Sequence, residues 1–439
     1  MNIVFVAHYF PPLNSSGARR INAFAKYLAA NGHQITVITT RKTGRDGLLT
    51  EGVPPYLCLL ELGHWGRLSP TEVDGNTLAL RSGSVKNRSL AGRMLLKIKR
   101  MVMTLAGQLI DHRLFFAMQF ALPWLDKEVK KRLAEADVVM SSCPPWPVHL
   151  AGWIIKRKYQ KLWVADYRDQ FSGNHILRGS DLSNTLEVSL ERWLLRSADC
   201  VIAISDPMKE YYEQFHPNVV CIENGYDEGM FEKARMEIKV GNAKSTNDDL
   251  FIRYMGSITS DRIPRAFFHA LAELNRNSPR RMIVEFYGES GLLQKALPGL
   301  VPEVLPFVRF CPQLPYMDAI HSILTADALF FIETSDFSSH SARGVLTTKL
   351  FEYLAARKPI VAEITPKALA ARYIAKSGLG VVVSEDVSEM RDGLAALRAG
   401  AFHAKVDDEF IDSLSRRVKA NELEHLLARL GAKSAQVRV

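Results

Sequence analysis

The 439-residue chain has little cysteine, and none of it is paired in sequence. Cys58, Cys143, Cys200, Cys221 and Cys311 are scattered, odd in number and free of any C-x-x-C spacing. This usage excludes a disulfide framework and a structural zinc site, and it fits a reduced, cytoplasmic chain. Long apolar runs are missing too. The most apolar stretch, Leu114 to Leu125, is too short and too interrupted to span a bilayer core of about 30 Å. Asn2 to Ala7 has no basic region before it and runs into His8-Tyr9-Phe10-Pro11-Pro12, so it reads as a first strand rather than an export signal. There is no G-x-G-x-x-G or G-x-x-x-x-G-K-[ST] phosphate loop, no His/Cys/Asp cluster at metal-ligand spacing, no short repeat and no low-complexity tract.

What is present is an ordinary globular balance, 47% hydrophobic and 23% charged, over a length that implies two domains of about 150–200 residues each. The formal charge is +9, from 56 Lys+Arg against 47 Asp+Glu. It is concentrated. From Arg81 to Arg132 there are twelve basic residues and three acids (Asp111, Asp126 and Glu128), an excess equal to that of the whole chain. Within that window Met94, Ile98, Met101, Val102, Leu105 and Leu109 recur at helical spacing beside Arg93, Lys97 and Arg100. This is the composition of a helix lying on an anionic membrane surface. An ordinary surface helix packed on its own domain has the same pattern. No recognised motif accompanies the charge for nucleic acid, which is not expected as a partner.

Residues 1–40 read as strand, loop, helix, strand. Ile3 to Val6 is a buried-strand run, Ile21, Phe24, Ala25 and Leu28 recur at helical spacing, Gly32 stops the helix, and Ile35 to Thr39 is a second strand. Strands follow at 138–140, 162–165 and 200–204. A polar stretch at 232–249 reads as a linker. A second series then runs at 251–254, 283–286, 308–310, 328–332, 359–362 and 380–383. The fold class is therefore α/β, with two Rossmann-like doubly wound domains in tandem, at 1–231 (with a basic insertion at about 81–132) and 250–415. A final helix at 416–439 is expected to pack back on the first domain. Ligands of such sheets bind at the carboxyl ends of the strands, so two domains facing each other make a cleft.

The sharpest motif is Thr347-Thr348-Lys349-Leu350-Phe351-Glu352-Tyr353-Leu354-Ala355-Ala356-Arg357-Lys358-Pro359-Ile360-Val361-Ala362, a helix that opens after two threonines and feeds a short buried strand. Lys349 and Glu352, three apart, share a face of the first turn. A helix start offers N–H groups and positive dipole to an anion, and Lys349 adds a point charge. A carboxylate one turn in can accept both hydrogen bonds of a ribose diol. By themselves the two residues could equally form a surface salt bridge.

This stretch resembles the K-x-x-E-Y-hydrophobic-A-x-x-K-P-hydrophobic signature of family-4 glycosyltransferases of the GT-B fold, in particular those of bacterial surface-polysaccharide synthesis. Further matches stand in order. Phe5 to Gly17 resembles the opening strand and glycine loop, and Glu223-Asn224-Gly225-Tyr226-Asp227 the close of the N-terminal domain. Tyr254-Met255-Gly256-Ser257 and Phe286-Tyr287-Gly288 resemble strand ends of the donor domain, and Val308 to Tyr316 a segment that contacts the nucleotide base. The resemblance implies that Glu352 holds the ribose and that Lys349, with Arg262, neutralises the donor diphosphate. It places Gly256, Ser257, Gly288, Gln313, Arg343, Gly344 and Thr348 around the donor. Gly17, Ser16 and His8 fall on the acceptor and phosphate side. Arg262 could equally be a solvated loop residue. Asp166-Tyr167-Arg168-Asp169 resembles a D-hydrophobic-R-D motif, so Asp166 or Asp169 could orient or deprotonate an acceptor hydroxyl. An Asp–Arg–Asp ion network that fixes the loop is the alternative. His8 and His149 are placed on the cleft side.

One departure from the pattern is Gly344, where many family members carry a second glutamate eight positions before the ribose-binding one. The absence of a D-x-D triplet points to charge neutralisation by Lys/Arg and helix ends, with no metal or other cofactor. The resemblance implies a retaining glycosyltransferase that moves a sugar from a nucleoside-diphosphate donor to a lipid-linked or oligosaccharide acceptor. Such an enzyme would be cytoplasmic and peripheral on the inner face of the cell membrane. A sugar-nucleotide epimerase on the same fold and a catalytically silent membrane-surface adaptor are the alternatives.

Overall fold

The computed structural model describes residues 1–42, 49–55, 57–62, 126–174, 181–240, 249–259, 262–333, 340–401 and 405–437. The basic amphipathic stretch from Met94 to Leu109 lies outside them. Two compact units account for the chain: 1–223 with 339–344 and 420–439, and 224–338 with 345–419.

The first unit opens with strand β1 (Asn2–Ala7), helix α1 (Ser16–Ala30) and strand β2 (Gln34–Thr40). Ser15 caps α1 by accepting from the Ala18 amide, and Gly32, at φ +87°, turns the chain out of it. There follow β3 (Cys58–Leu62), α2 (Lys127–Glu135), β4 (Val138–Cys143), α3 (Pro147–Tyr159), β5 (Leu162–Tyr167), α4 (Asp181–Leu195), β6 (Cys200–Ala203), α5 (Asp206–Glu213) and β7 (Val219–Cys221). The sheet is parallel throughout, in the order β3-β2-β1-β4-β5-β6-β7. Helices cover both faces, which is why Ile3 to Ala7 of β1 and Val138 to Met140 of β4 read as apolar runs. Ile21, Phe24 and Leu28 of α1 pack with Phe5 and Val37 on one face, and Trp163, Leu194 and Tyr212 pack on the other.

The second unit contains α6 (Glu228–Val240), β8 (Leu250–Met255), α7 (Arg265–Asn275), β9 (Met282–Tyr287), α8 (Gly291–Leu300), β10 (Val308–Cys311), α9 (Tyr316–Thr325), β11 (Ala328–Ile332), α10 (Thr348–Ala356), β12 (Ile360–Glu363), α11 (Leu369–Ser377), β13 (Gly380–Val383), α12 (Val387–Arg398) and α13 (Asp408–Ser413). Its parallel sheet runs β10-β9-β8-β11-β12-β13. The period of two decides which core each strand residue enters: Phe330 packs with Phe267 and Phe286, and the adjacent Phe331 packs with Leu350 and Leu354. The last helix, α14 (Arg416–Val437), sends Leu423, Leu426, Leu427 and Leu430 into the core of the first unit with Ile3 and Phe24.

Three elements differ from the sequence expectations. The division of units falls after Glu223, and residues 228–240, most of them read as linker, are helical because Phe231 and Ala234 lie three apart and are wholly buried. β3 and β7 had no sequence signal. β3 sits at the sheet edge, where burial is partial, and β7 is three residues long.

Candidate active site

In both sheets the strand order reverses beside the first strand, between β1 and β4 and between β8 and β11. Carboxyl ends at such a switch point are where doubly wound sheets bind ligands. In the second unit the residues that follow β8 and β11 are Gly256 and Glu333. Gly256 has φ +125° and Gly288, after β9, has φ +120°. A Cβ on Gly288 would stand 2.9 Å from the Gly256 carbonyl oxygen, so the two loops can approach this closely only with glycine there. The strand end is pinned from below, where the Met255 amide donates to the Tyr353 hydroxyl of α10 at 2.7 Å.

Glu333 organises the cations. It is buried, and Arg262 Nη2 lies 2.9 Å from its Oε2. Its Oε1 accepts from the Thr347 hydroxyl at 2.6 Å and has Lys349 Nζ at 3.8 Å. Lys349 also donates to the Tyr254 hydroxyl at 2.9 Å and lies 4.4 Å from the centre of that ring. Tyr254 in turn donates to the Ser257 carbonyl at 3.0 Å. Two cations thus share one carboxylate, and the local charge stays positive. Thr347, the cap residue of α10, spends its hydroxyl on Glu333 and makes no side-chain cap bond. The helix therefore begins at Thr348 with positive dipole and no side-chain acceptor of its own.

One turn on, Glu352 is buried, and its Oε1 has no hydrogen-bond partner. A buried carboxylate oxygen left this way costs about 1–3 kcal/mol or more unless something supplies a donor. Arg416 lies in its field. Burial opposes the Arg416 charge, and Tyr316, Asp227 and Glu352 outweigh that effect and raise its pKa. Gln313, at the end of β10, is exposed.

In the first unit His8 follows β1 and is buried, with Nδ1 2.6 Å from the Thr40 hydroxyl. Ser16 is exposed and Gly17 buried at the start of α1. A Cβ on Gly17 would fall 1.7 Å from Arg168 Nη1, so the missing side chain makes room for that guanidinium. Arg168 lies 4.9 Å from the centre of the Tyr9 ring and donates to the Pro144 carbonyl at 3.0 Å. Asp166 has no exposed surface. It takes Arg20 Nη2 at 2.8 Å and the Ser142 hydroxyl at 2.7 Å, while Arg20 also donates to the carbonyls of Ile222 and Glu223. The ion pair here is with Arg20 of α1, not with the neighbouring Arg168, and it ties α1 to the end of β7. Asp169 is exposed. Arg343 and Gly344 group with this unit, where the Gly344 carbonyl accepts from the Ser205 hydroxyl at 2.9 Å. His149, expected at the cleft side, is instead inside the core. It has Nδ1 2.7 Å from the Ser141 hydroxyl, and burial pushes its pKa down to about 3 against the weaker pull of Asp166.

Residues 16–225 match the family model of the glycosyl transferase 4-like domain. The matched part, just under half of the chain, is thus glycosyl transferase 4-like, and the fold of the whole chain is GT-B. No curated relative matches it in sequence. Solved structures share its fold over almost the full length. Sucrose-phosphate synthase from Thermosynechococcus elongatus has 15% identity and a TM-score of 0.62, covering 98% of this chain and 99% of that one. HepE from Anabaena, in complex with UDP-glucose, has 12% identity and a TM-score of 0.55, covering 97% and 99%. UDP-GlcNAc 2-epimerase from Methanocaldococcus jannaschii has 9% identity and a TM-score of 0.51, covering 98% and 100%.

Two acids of the chain carried no sequence signal. Glu333 is a single residue at a strand end, and its partners lie far along the chain at Arg262 and close by at Thr347 and Lys349. Glu191 of α4 is wholly buried, holds the amide and hydroxyl of Ser172 and accepts from Tyr212 at 3.3 Å. Burial lifts its carboxyl to about 7. A cavity of about 580 Å³ opens at Asn2, Lys26, His33 and Gln34, by the amino ends of β1 and β2. That is the opposite end of the sheet from the residues above. Among the described residues no helix is long and apolar enough to cross a membrane, and no His/Cys/Asp/Glu group is placed to hold a metal ion.

Proposed function

We propose that this chain is a glycosyltransferase that moves a hexose from a nucleoside-diphosphate donor to a lipid-linked or oligosaccharide acceptor in surface-polysaccharide synthesis, with retention at the anomeric carbon. The observation that carries the donor assignment is the convergence of Lys349 and Arg262 at the uncapped start of α10, one turn before a buried carboxylate oxygen with no partner. Glu352 Oε1 accepts from a ribose hydroxyl. The diphosphate sits against Lys349, Arg262 and the first amides of α10, beside Thr348, Gly256, Ser257 and Gly288. Gln313 borders the base.

The chemistry follows from charge. As the bond from the anomeric carbon to the leaving phosphate oxygen breaks, negative charge grows on the diphosphate. Cations already fixed by Glu333 and Tyr254 stabilise it without reorganising. No metal is needed for that neutralisation, so activity should survive chelation by EDTA. On the acceptor side, His8, Ser16 and Gly17 border the acceptor. Asp169 is exposed and free to orient a hydroxyl, whereas Asp166 serves by holding Arg20. The enzyme works in the cytoplasm at the inner face of the membrane.

HepE, a structural neighbour, is a complex with UDP-glucose, and another neighbour is a UDP-GlcNAc 2-epimerase. The epimerase reading is separated by the need for an acceptor. The protein is incubated with a panel of sugar nucleotides, with and without membrane lipid extract, and released nucleotide is measured. Release that depends on the extract is the expected result. Donor conversion without acceptor would favour the epimerase, and no turnover in any mixture would favour a silent adaptor.

A further inference from the structure

Helices α3 and α4 connect β4 to β5 and β5 to β6, two crossovers made in the same direction along the sheet. Right-handed connections of this kind put both helices on one face. Their inward sides are core, with Ala151, Ile155, Leu194 and Leu195 buried. Their outward sides are not what water selects. Leu186 is 50% exposed and Trp193 46% exposed. Seven positions apart, they lie two turns along one stripe of α4, with the half-buried Leu190 between them. Trp193 meets Trp153 of α3 with ring centroids 4.8 Å apart, which carries the stripe onto the second helix.

On α3 and among the described side chains of α4, the exposed charge has one sign. From Pro147 to Tyr159, α3 contains no acid and ends in Lys156, Arg157 and Lys158. Glu187 and Glu191 of α4 are wholly buried and turned to the core. Lys156 is paired with Asp199. Arg157, Arg192 and Arg196 are exposed and form no ion pair with the described residues. Arg157 lies 5.1 Å from the centre of the Trp153 ring.

We propose that the α3–α4 face docks on an anionic lipid bilayer. Trp193, Trp153 and Leu186 enter the headgroup layer, and Arg157, Arg192 and Arg196 pair with lipid phosphates. Indoles are amphipathic and settle at headgroup depth, and guanidinium groups bind phosphate through paired N–H donors. A rim of one sign suits a uniformly negative surface, whereas a protein partner presents mixed charge. This face is built from residues other than the basic stretch at 81–132. The proposal shares a bilayer-borne acceptor with the function above but is read without turnover, so either can fail while the other stands.

The test uses the full chain and sedimentation with vesicles of phosphatidylglycerol and phosphatidylethanolamine, against phosphatidylcholine alone. Wild type should bind the anionic vesicles and not the neutral ones. Each of Arg157→Gln, Arg192→Gln and Arg196→Gln should weaken binding about five-fold at low salt. Brominated phosphatidylglycerol should quench tryptophan fluorescence, and Trp193→Phe, conservative and exposed, should remove a distinct share of that quenching. Equal quenching in Trp193→Phe, or unchanged binding in the arginine variants, would overturn the proposal. Wild type that sediments with neither vesicle would also overturn it and leave a protein partner as the occupant.

Discussion

At the residue scale, the proposed donor site rests on groups whose neighbours define what they can do. Glu352 Oε1 is buried with no partner, so a ribose hydroxyl that reaches it gains a charge-assisted hydrogen bond. Glu352→Ala should cost about 1.5–3 kcal/mol of donor binding, seen as a ten-fold or larger rise in donor KM with a smaller change in kcat. An unchanged KM would remove the ribose assignment. Gly288→Ala should destabilise the fold by about 1–3 kcal/mol, because a side chain there is strained at φ +120° and meets the Gly256 carbonyl. Thermal unfolding reads that loss. Lys349 and Glu352 were legible in the sequence because they stand three apart within a recognisable motif. Glu333 and Arg20 were not. Arg20 and Asp166 are 146 positions apart, and only the folded sheet brings a helix residue to that strand end.

At the scale of elements, the parallel strands were legible because sheets covered on both faces demand continuous apolar runs, as in Val138 to Met140 and Ala328 to Ile332. Short or edge strands lack that demand, which explains β3 and β7. Helix α4 shows a different limit, since its inward face carries an acid. Glu191 bonds the Ser172 loop that follows β5 and stands among Tyr167, Tyr211 and Tyr212. Its folded pKa, lifted to about 7 by burial, lies above the ordinary 4.5. Between those values the folded protein keeps a proton that the unfolded chain has lost. This group therefore favours folding most at acid pH, and its contribution falls as pH rises from about 4.5 to about 7. His149, depressed to about 3, acts with the opposite sign, adding stability as pH rises from about 3 to about 6.5. Glu191→Gln should remove only the first effect. Its stability relative to wild type should rise by about 3 kcal/mol across pH 4.5–7, measured by denaturant unfolding at several pH values. A constant difference would mean that Glu191 is ionised throughout.

At the scale of the whole molecule, the last helix returns to the first unit, where Leu423, Leu426, Leu427 and Leu430 are buried. Each such leucine contributes about 1.5–3 kcal/mol, so a chain truncated after Lys419 should unfold at much lower temperature and expose the β1–α1 face. A truncated chain that melts with wild type would show that face to be covered otherwise. The sequence alone could not name the partners of this helix. In the second unit, the proposed role of Lys349, held by Tyr254 and Glu333, is to stabilise a departing diphosphate. Acceptor-dependent nucleotide release by Lys349→Ala and wild type tests it most directly, with thermal unfolding as the control. Turnover should fall about 10²–10³-fold while the melting temperature stays within a few degrees. A Lys349→Ala enzyme that turns over normally with normal donor affinity would contradict the assignment.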